Sequence, residues 1–426
     1  MNHHTPPAIT LALLLCVPAA AQKKEAPAME LVSPVPSSVQ QGVIEVRIRT
    51  GVEGKAAPAS IYASLGGSAG VPLTRTGDTG EWGCQIDTTR IPNGGQQLRV
   101  ITENKRFMVT VPLTVKNPLR HYFADLHSHT SFSDGTLLPE VAHDYARNVA
   151  KLDVFSLTDH LESVDSVEWN RMREVAWKAN EDGAFVVLPG LEWTKRWGHI
   201  NIYDPGTRLW PQDPESFYAA IAGAGVLAKF NHPGDGSKSH GGLAYSEAGD
   251  KAIQLMEVRS DQEEKAFIRA LGLGWHIAPD GSDDTHSPNW GNVKSWTGIL
   301  APGLSQQAIL AALKARHCYS TLDRNCRLSF EVCGAVMGDI LGKPVEVAEV
   351  RVAVEDPDAG DKVAKFELFE DGVVVESHEP AGGGGQWAVS HKAAPGSHHY
   401  FVKVTQADGD MLWSAPVWLA VVVSWK

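Results

Sequence analysis

Residues 119–160 read LRHYFADLHSHTSFSDGTLLPEVAHDYARNVAKLDVFSLTDH, and this stretch decides the fold class. HYFADLH has the apolar weight of a strand, 139–150 carries helical spacing, and LDVFSLTDH returns to a strand. Strand, helix, strand implies a βαβ unit whose two strands lie parallel, because the helix carries the chain back to the starting edge. Reading outward, AFVVLPGLEW, HINIYD, GVLAKFNH, AIQLMEVRS, WHIAPDGSD and WTGILA are further strand candidates, and 167–180, 214–224, 262–271 and 305–316 are helices between them. Seven or eight such repeats predict an α/β domain over 119–326, a largely parallel sheet closed as a distorted TIM-like barrel.

Both flanks change texture. Over 22–118, GVIEVRIRT alternates apolar and polar side chains, and SIYASLG, EWGCQIDT, QQLRVITE and RFMVTVPLTV follow between Gly, Pro and Asn turns. The prediction there is a β-sandwich that looks like a small immunoglobulin-like module. Over 327–426 alternation returns without helices, and Glu370-Asp371-Gly372 signals a hairpin turn. A second small all-β, sandwich-like domain is therefore predicted to close the chain.

Of the 426 residues, 43% are hydrophobic and 21% charged, which excludes a disordered or polytopic membrane chain. The net charge of −12 repels polyanions, so no nucleic-acid partner is expected. Residues 1–21 hold an apolar run ending at Ala19 and Ala21, the form of a secretory signal. Cleavage there predicts a secreted or periplasmic protein with no stable membrane span. Cys84, Cys318, Cys326 and Cys333 then remain; none forms a C-x-x-C pair, and an oxidising compartment permits a disulfide among the last three.

The 17 histidines are unevenly placed: ten lie between His121 and His286, and none lies in 22–118. Several sit where a predicted strand gives way to a loop. His127 and His129, two apart in an extended segment, point to one side; Asp134 lies five residues beyond. His160 ends the second strand, Glu192 the third; His199 opens GHINIY, His232 closes KFNH, and Asp284 and His286 follow the strand near Trp275. A lone His-x-His is a common core or surface feature. Recurrence at strand ends is different, because strand ends converge on one face of a barrel. Imidazole and carboxylate donors without thiolate suit Zn, Mn or Fe, and their number exceeds what one ion needs, so two or three divalent ions are expected. His143, inside a helical pattern, and His240, in a Gly/Ser loop, are read as non-ligands; Asp159 is read as orienting a ligand or capping the next element rather than binding metal, and Asp284 is preferred over Asp283.

Taken together, the His-x-His opening, the TDH motif, the mid-domain acid and the late Asp-x-His resemble the polymerase and histidinol phosphatase (PHP) domain. LEWT…GHIN, SDDTHSP and the β-rich tail look more like secreted CehA/McbA-type metallohydrolases. The resemblance covers about half the chain. It implies a (β/α)7 PHP barrel with a first ion on His127, His129, Glu192 and Asp284, a second on Glu192, His199 and His232, and a third on Asp134, His160 and His286. His199 departs from the pattern, standing only seven residues after Glu192.

The expected activity is a phosphoesterase in which Glu192, His232 and Asp284 serve catalysis and ions bridged by Glu192 hold a hydroxide for in-line attack. Lys195, Arg196, Arg259 and Arg324 are candidate phosphate ligands; Trp193, Trp197, Trp210 and Trp290 are candidate pocket walls. The partner is a small-molecule ester or phosphoester. The same centre can attack a carboxylic or carbamic ester, which is the alternative, and a non-catalytic extracellular binding protein is the rival of a different class.

Overall fold

The computed structural model describes residues 29–422 apart from 52–57, 77–79, 106, 208–210, 212 and 235–238. The expected signal at 1–21 and Trp210 lie outside the described residues.

The first unit is a sandwich. One sheet orders Met29–Ser33, Val43–Thr50, Glu81–Asp87 and Thr74–Thr76; the other orders Val39–Gln40, Met108–Val115, Gly94–Thr102, Ile61–Leu65 and Val71–Pro72. Val43–Thr50 buries every second side chain, as its alternation predicts, and Val46 and Ile48 pack with Ile61, Leu65, Leu98 and Val100 in a core of the sandwich's own.

The central region corrects the predicted α/β barrel. Strands make up 41% of the structure and helices 18%, and the described strands form open sheets rather than a closed parallel barrel. One long sheet orders Val186–Val187, Val154–Phe155, Arg120–Asp125, Trp296–Ala301, Cys318–Thr321, Met411–Ser414, Gly396–Gln406, Val363–Glu370 and Val373–His378. The first three strands are parallel, and every later pairing is antiparallel. A five-stranded sheet orders Gly190–Lys195, Gly198–Tyr203, Leu227–Asn231, Leu255–Glu257 and Ala278–Asp280, antiparallel at first and parallel at the end.

The reasons lie in two connections. Only Arg196 and Trp197 separate Gly190–Lys195 from Gly198–Tyr203, too few for a crossover, so the chain doubles back as a hairpin. Residues 281–295 hold no helix, and the strand that follows them, Trp296–Ala301, enters the long sheet antiparallel to Arg120–Asp125.

The predicted helices form as Pro139–Asn148, Ser166–Ala179, Pro214–Ala224, Asp261–Gly272 and Gln306–Lys314, and Glu247–Ala252 is an unpredicted sixth. Asp165 and Glu168 close a capping box on the second of these. The predicted Glu370-Asp371-Gly372 hairpin also forms, with Asp371 at φ 50° and Gly372 at φ 83°.

Arg327–Val332 opens a separate four-stranded sheet with Ala335–Val336, Ala348–Glu355 and Gln386–His391, but the long sheet also continues past Arg327. Five strands beyond Arg327 belong to the long sheet, Val417–Val421 pairing with Gly396–Gln406, and Val350, Val402 and Val404 share a core with Ala124, Val154 and Ile299. The permitted disulfide does not form: all four cysteines are free, the Cys318 sulfur facing the Pro279 carbonyl and the Cys333 sulfur the Val347 carbonyl. Among the described residues no helix is long and apolar enough to cross a membrane.

Candidate metal centre

Two isolated parallel bridges join the sheets at one rim, Ser128 with Thr285 and His160 with Glu192. They place the ends of the first, second, third and late strands side by side. His129 N donates to Thr285 O at 2.8 Å and Thr158 N to Ser128 O at 2.9 Å, which keeps 127–129 extended and both imidazoles on one side.

Glu192, 1% exposed, is the hub. His127 Nε2 lies 3.3 Å and His199 Nδ1 3.1 Å from its Oε1, and His160 Nδ1 lies 2.8 Å from its Oε2. His232 Nε2 stands 3.6 Å from Oε1, and Asn231 Nδ2 donates to the same oxygen at 2.7 Å. Asp284 Oδ1 lies 3.2 Å from His127 Nε2 and 3.0 Å from His129 Nε2. Asp134 meets His160 Nε2 at 3.3 Å and His286 Nε2 at 3.1 Å. All nine sequence-predicted ligands are thus brought together: eight fall in overlapping groups, His127, His129 and Glu192; Glu192, His199 and His232; His129, Asp134, His160 and His286, and Asp284 joins through His127 and His129. His232 and Asp284 reach their places on left-handed backbone, φ 32° and 55°, the kind of strain held by surrounding structure at functional sites.

The donor set fits divalent cations. His127 Nδ1 lies 2.6 Å from Glu257 Oε1, so the ring donates there and turns the lone pair of Nε2 toward Glu192 and Asp284. Lone pairs and anions then converge on one space. Asp284 Oδ1 is buried there with no hydrogen-bond partner, as is His232 Nδ1. The electrostatics register the same demand for positive charge. Burial works to lower the His127 pKa, but Asp284, Glu257 and Glu192 outweigh it and push the value up to about 10. Burial works to raise Glu192, yet the surrounding histidines, His127 foremost, hold it well below the usual carboxylate range. Asp284 is likewise depressed against its burial by His127 and His129.

Several supporting groups escaped the sequence reading. Glu257 Oε1 accepts from Lys229 Nζ at 2.9 Å, and Lys229 pairs with Asp280 at 2.6 Å; all three are fully buried. A lysine inside the apolar run GVLAKFNH was the signal, since a buried charge requires partners. Glu257, at the end of LME, obeys the same strand-end rule that picked out Glu192. Asp159 accepts from Thr130 N and Oγ1, both at 2.7 Å, and so holds the loop after His129 rather than an ion.

The predicted substrate cations are largely engaged. Lys195 pairs with Glu162 at 2.7 Å; Arg259 bonds Ser282 O at 2.7 Å and Glu263 at 3.2 Å. Arg196 is exposed in the hairpin turn, and Arg324 is half-buried in the loop after Cys318–Thr321. Asp283 stands 3.8 Å from Arg259, while Asp284 is the one that faces His127 and His129. Trp193 and Trp290 are core residues, the latter donating to His129 O at 2.9 Å, while Trp197 is half-buried against His240. His143 and His240 are buried outside the ligand groups; the His240 ring donates to His199 O at 3.0 Å.

No family model matches this chain. Two uncharacterized proteins resemble part of it: one from Chlamydia muridarum, 25% identical over 138 residues, and one from Chlamydia pneumoniae, 28% identical over 137. Each match covers 29% of this chain and only 22% of the relative. Among solved structures, the endo-beta-1,4-mannanase from Thermotoga petrophila aligns over 22% of the chain at 17% identity and a TM-score of 0.20. The fibronectin(III)-like modules of Clostridium thermocellum CbhA align over 22% at 17% identity and 0.17.

Proposed function

We propose that this chain is a metal-dependent hydrolase of the PHP type, acting on a phosphoester. The observation that carries the reading is the convergence of eight imidazole and carboxylate side chains with Glu192 as their hub, with the buried Asp284 Oδ1 left without a hydrogen-bond partner. Divalent ions held there supply Lewis acidity and a water made nucleophilic near neutral pH. His127, His129, Glu192 and Asp284 would hold one, Glu192, His199 and His232 a second, and Asp134, His160 and His286 a third.

The chain's own residues do the rest. Glu257 keeps the His127 proton on Nδ1, so Nε2 stays a donor of electrons toward the cage. Asn231 and the His160 ring hold the Glu192 carboxylate in place. Asp134 and His286, 57% and 36% exposed at the side chain, form the open side by which substrate enters.

A second reading, hydrolysis of a carboxylic or carbamic ester on the same centre, draws on one observation. Lys195 and Arg259 spend their charge on Glu162 and Glu263, which leaves less positive charge for a phosphate dianion. Turnover of an aryl phosphate, a bis-aryl phosphodiester and an aryl ester by protein reconstituted with Mn or Zn separates the two. Activity confined to the aryl ester selects the second reading, and inactivity on all three with every metal rejects both.

A further inference from the structure

We propose that Asp323, Asp356 and Gln406 form a second cation site, sharing no residue with the cage around Glu192, that takes one divalent ion of the calcium class. Three loops meet there: 322–326, which follows Cys318–Thr321; 356–362, between Ala348–Glu355 and Val363–Glu370; and 407–410, between Gly396–Gln406 and Met411–Ser414. Backbone bonds stitch them together, Leu322 N donating to Met411 O at 3.0 Å and Ala407 N to Lys362 O at 2.8 Å. One ligand atom each of Asp323, Asp356 and Cys326 lies within 4.8 Å of the other two.

The carboxamide of Gln406 is the first argument. The residue is 2% exposed, and its amino group is spent on the two acids: Nε2 donates to Asp323 Oδ2 at 3.0 Å and to Asp356 Oδ2 at 2.7 Å. Its Oε1 is buried beside them with no hydrogen-bond partner. Buried polar atoms are almost always satisfied, and an orphan calls for a water or an ion. Asn325 repeats the arrangement: Nδ2 donates to Asp358 Oδ2 at 2.8 Å, while Oδ1 is buried and unpartnered. Two side-chain carbonyls without donors therefore stand among the same acids.

Charge is the second, and it decides between water and ion. The three loops carry Asp323, Asp356, Asp358, Asp361, Asp408 and Asp410, and among the described residues no Lys or Arg comes within the 4.0 Å of an ion pair with any of them. Arg324 and Lys362, in the same loops, are no exception. Asp323 is only 8% exposed, so solvent does little to screen it. A water would give the orphaned carbonyls a donor and leave the acids uncompensated; a cation answers both. Carboxylate and carboxamide oxygens in that number suit calcium, which takes about six to eight oxygen ligands. The Cys326 thiol, a soft donor, is passed over by so hard an ion.

Position is the third. Cys318–Thr321, Gly396–Gln406 and Met411–Ser414 belong to the long sheet, and Arg327–Val332 and Ala348–Glu355 to the four-stranded one. An ion between the three loops would tie the two sheets together where the chain passes from one to the other. Asp358 and Asp408 are exposed, which leaves the ion a path from solvent.

The test uses the full chain, stripped with a chelator and dialysed against radioactive calcium at ~1 mM, the range in which extracellular modules bind it. Calcium per chain is measured for the parent, for Asp356→Asn, for Cys326→Ser and for Glu192→Gln. The parent, Cys326→Ser and Glu192→Gln are expected to retain the equivalent that Asp356→Asn loses. The side-chain carbonyl carbon of Gln406 is expected to shift when calcium is added to the parent, read by NMR. Should Asp356→Asn not fold, that resonance carries the test alone. Equal calcium in parent and Asp356→Asn, or a Gln406 carbonyl that calcium leaves unmoved, overturns the proposal. So does a site that refuses calcium and takes zinc only while Cys326 is present. Failure of the Glu192 cage would leave the difference between parent and Asp356→Asn unchanged.

Discussion

Glu192 is a single buried carboxylate on which five histidines close. Replacing it with glutamine keeps the shape and removes the charge that holds cations. Glu192→Gln is expected to lose bound metal and all measurable hydrolysis while its far-UV circular dichroism is unchanged; normal metal content and turnover would falsify the hub role. Lys229 acts one step further out, through Glu257 on His127. Burial works to strip its proton, but Asp280 and Glu257 outweigh that and keep it charged. Lys229→Met leaves two buried carboxylates facing each other, and we expect metal affinity to fall about 10- to 100-fold, as for other partners behind a ligand, measured by competition with a chromogenic chelator.

His143 shows the opposite chemistry. Its ring packs edge-on against Phe155 with Nδ1 unpartnered, and burial pushes its pKa down to about 4. The unfolded chain, with an ordinary value near 6.5, binds that proton more readily, so the stabilisation present above pH ~6.5 is lost as pH falls toward ~4. At ~1.4 kcal/mol per unit the loss is about 3 kcal/mol. His143→Leu is expected to flatten the pH dependence of urea unfolding across that window; a slope equal to the parent's would assign it elsewhere.

At the scale of elements, local rules worked where the chain interacts with itself. Helix Ser166–Ala179 begins at Asp165, whose carboxylate accepts from Val167 N and Glu168 N. Asp165→Ala is expected to cost about 1 kcal/mol in the unfolding free energy. The five predicted helices formed because their spacing is read within a dozen residues. Strand existence was also legible, but pairing direction was not. GHINIY is equally apolar whether it runs up or down, and only the two-residue link to Lys195 forces the reversal.

For the whole molecule, the long sheet crosses residue 327, so a chain ending there lacks the strands Gly396–Gln406 and Met411–Ser414 that cover Cys318–Thr321 and share its core. Such a truncation is expected to give no cooperative thermal transition; one matching the full chain would show an independent unit. The acids of the cage repel one another until cations bind them. Chelation should therefore lower the melting temperature, and saturating metal at about a thousand times its dissociation constant should return roughly 4 kcal/mol per site.

The sequence by itself determined the amphipathic helices, the alternating strands of the sandwich and the His127–His286 series of ligand candidates, because each is written in short-range periodicity or at the end of an apolar run. What only the tertiary structure decided was the direction of the strands, the sharing of one sheet across residue 327, and the buried Lys229–Glu257–Asp280 group behind His127. Those depend on contacts between segments dozens of residues apart: a lysine in an apolar run signals that partners are required, but burial and charge pairing in the fold decide which they are.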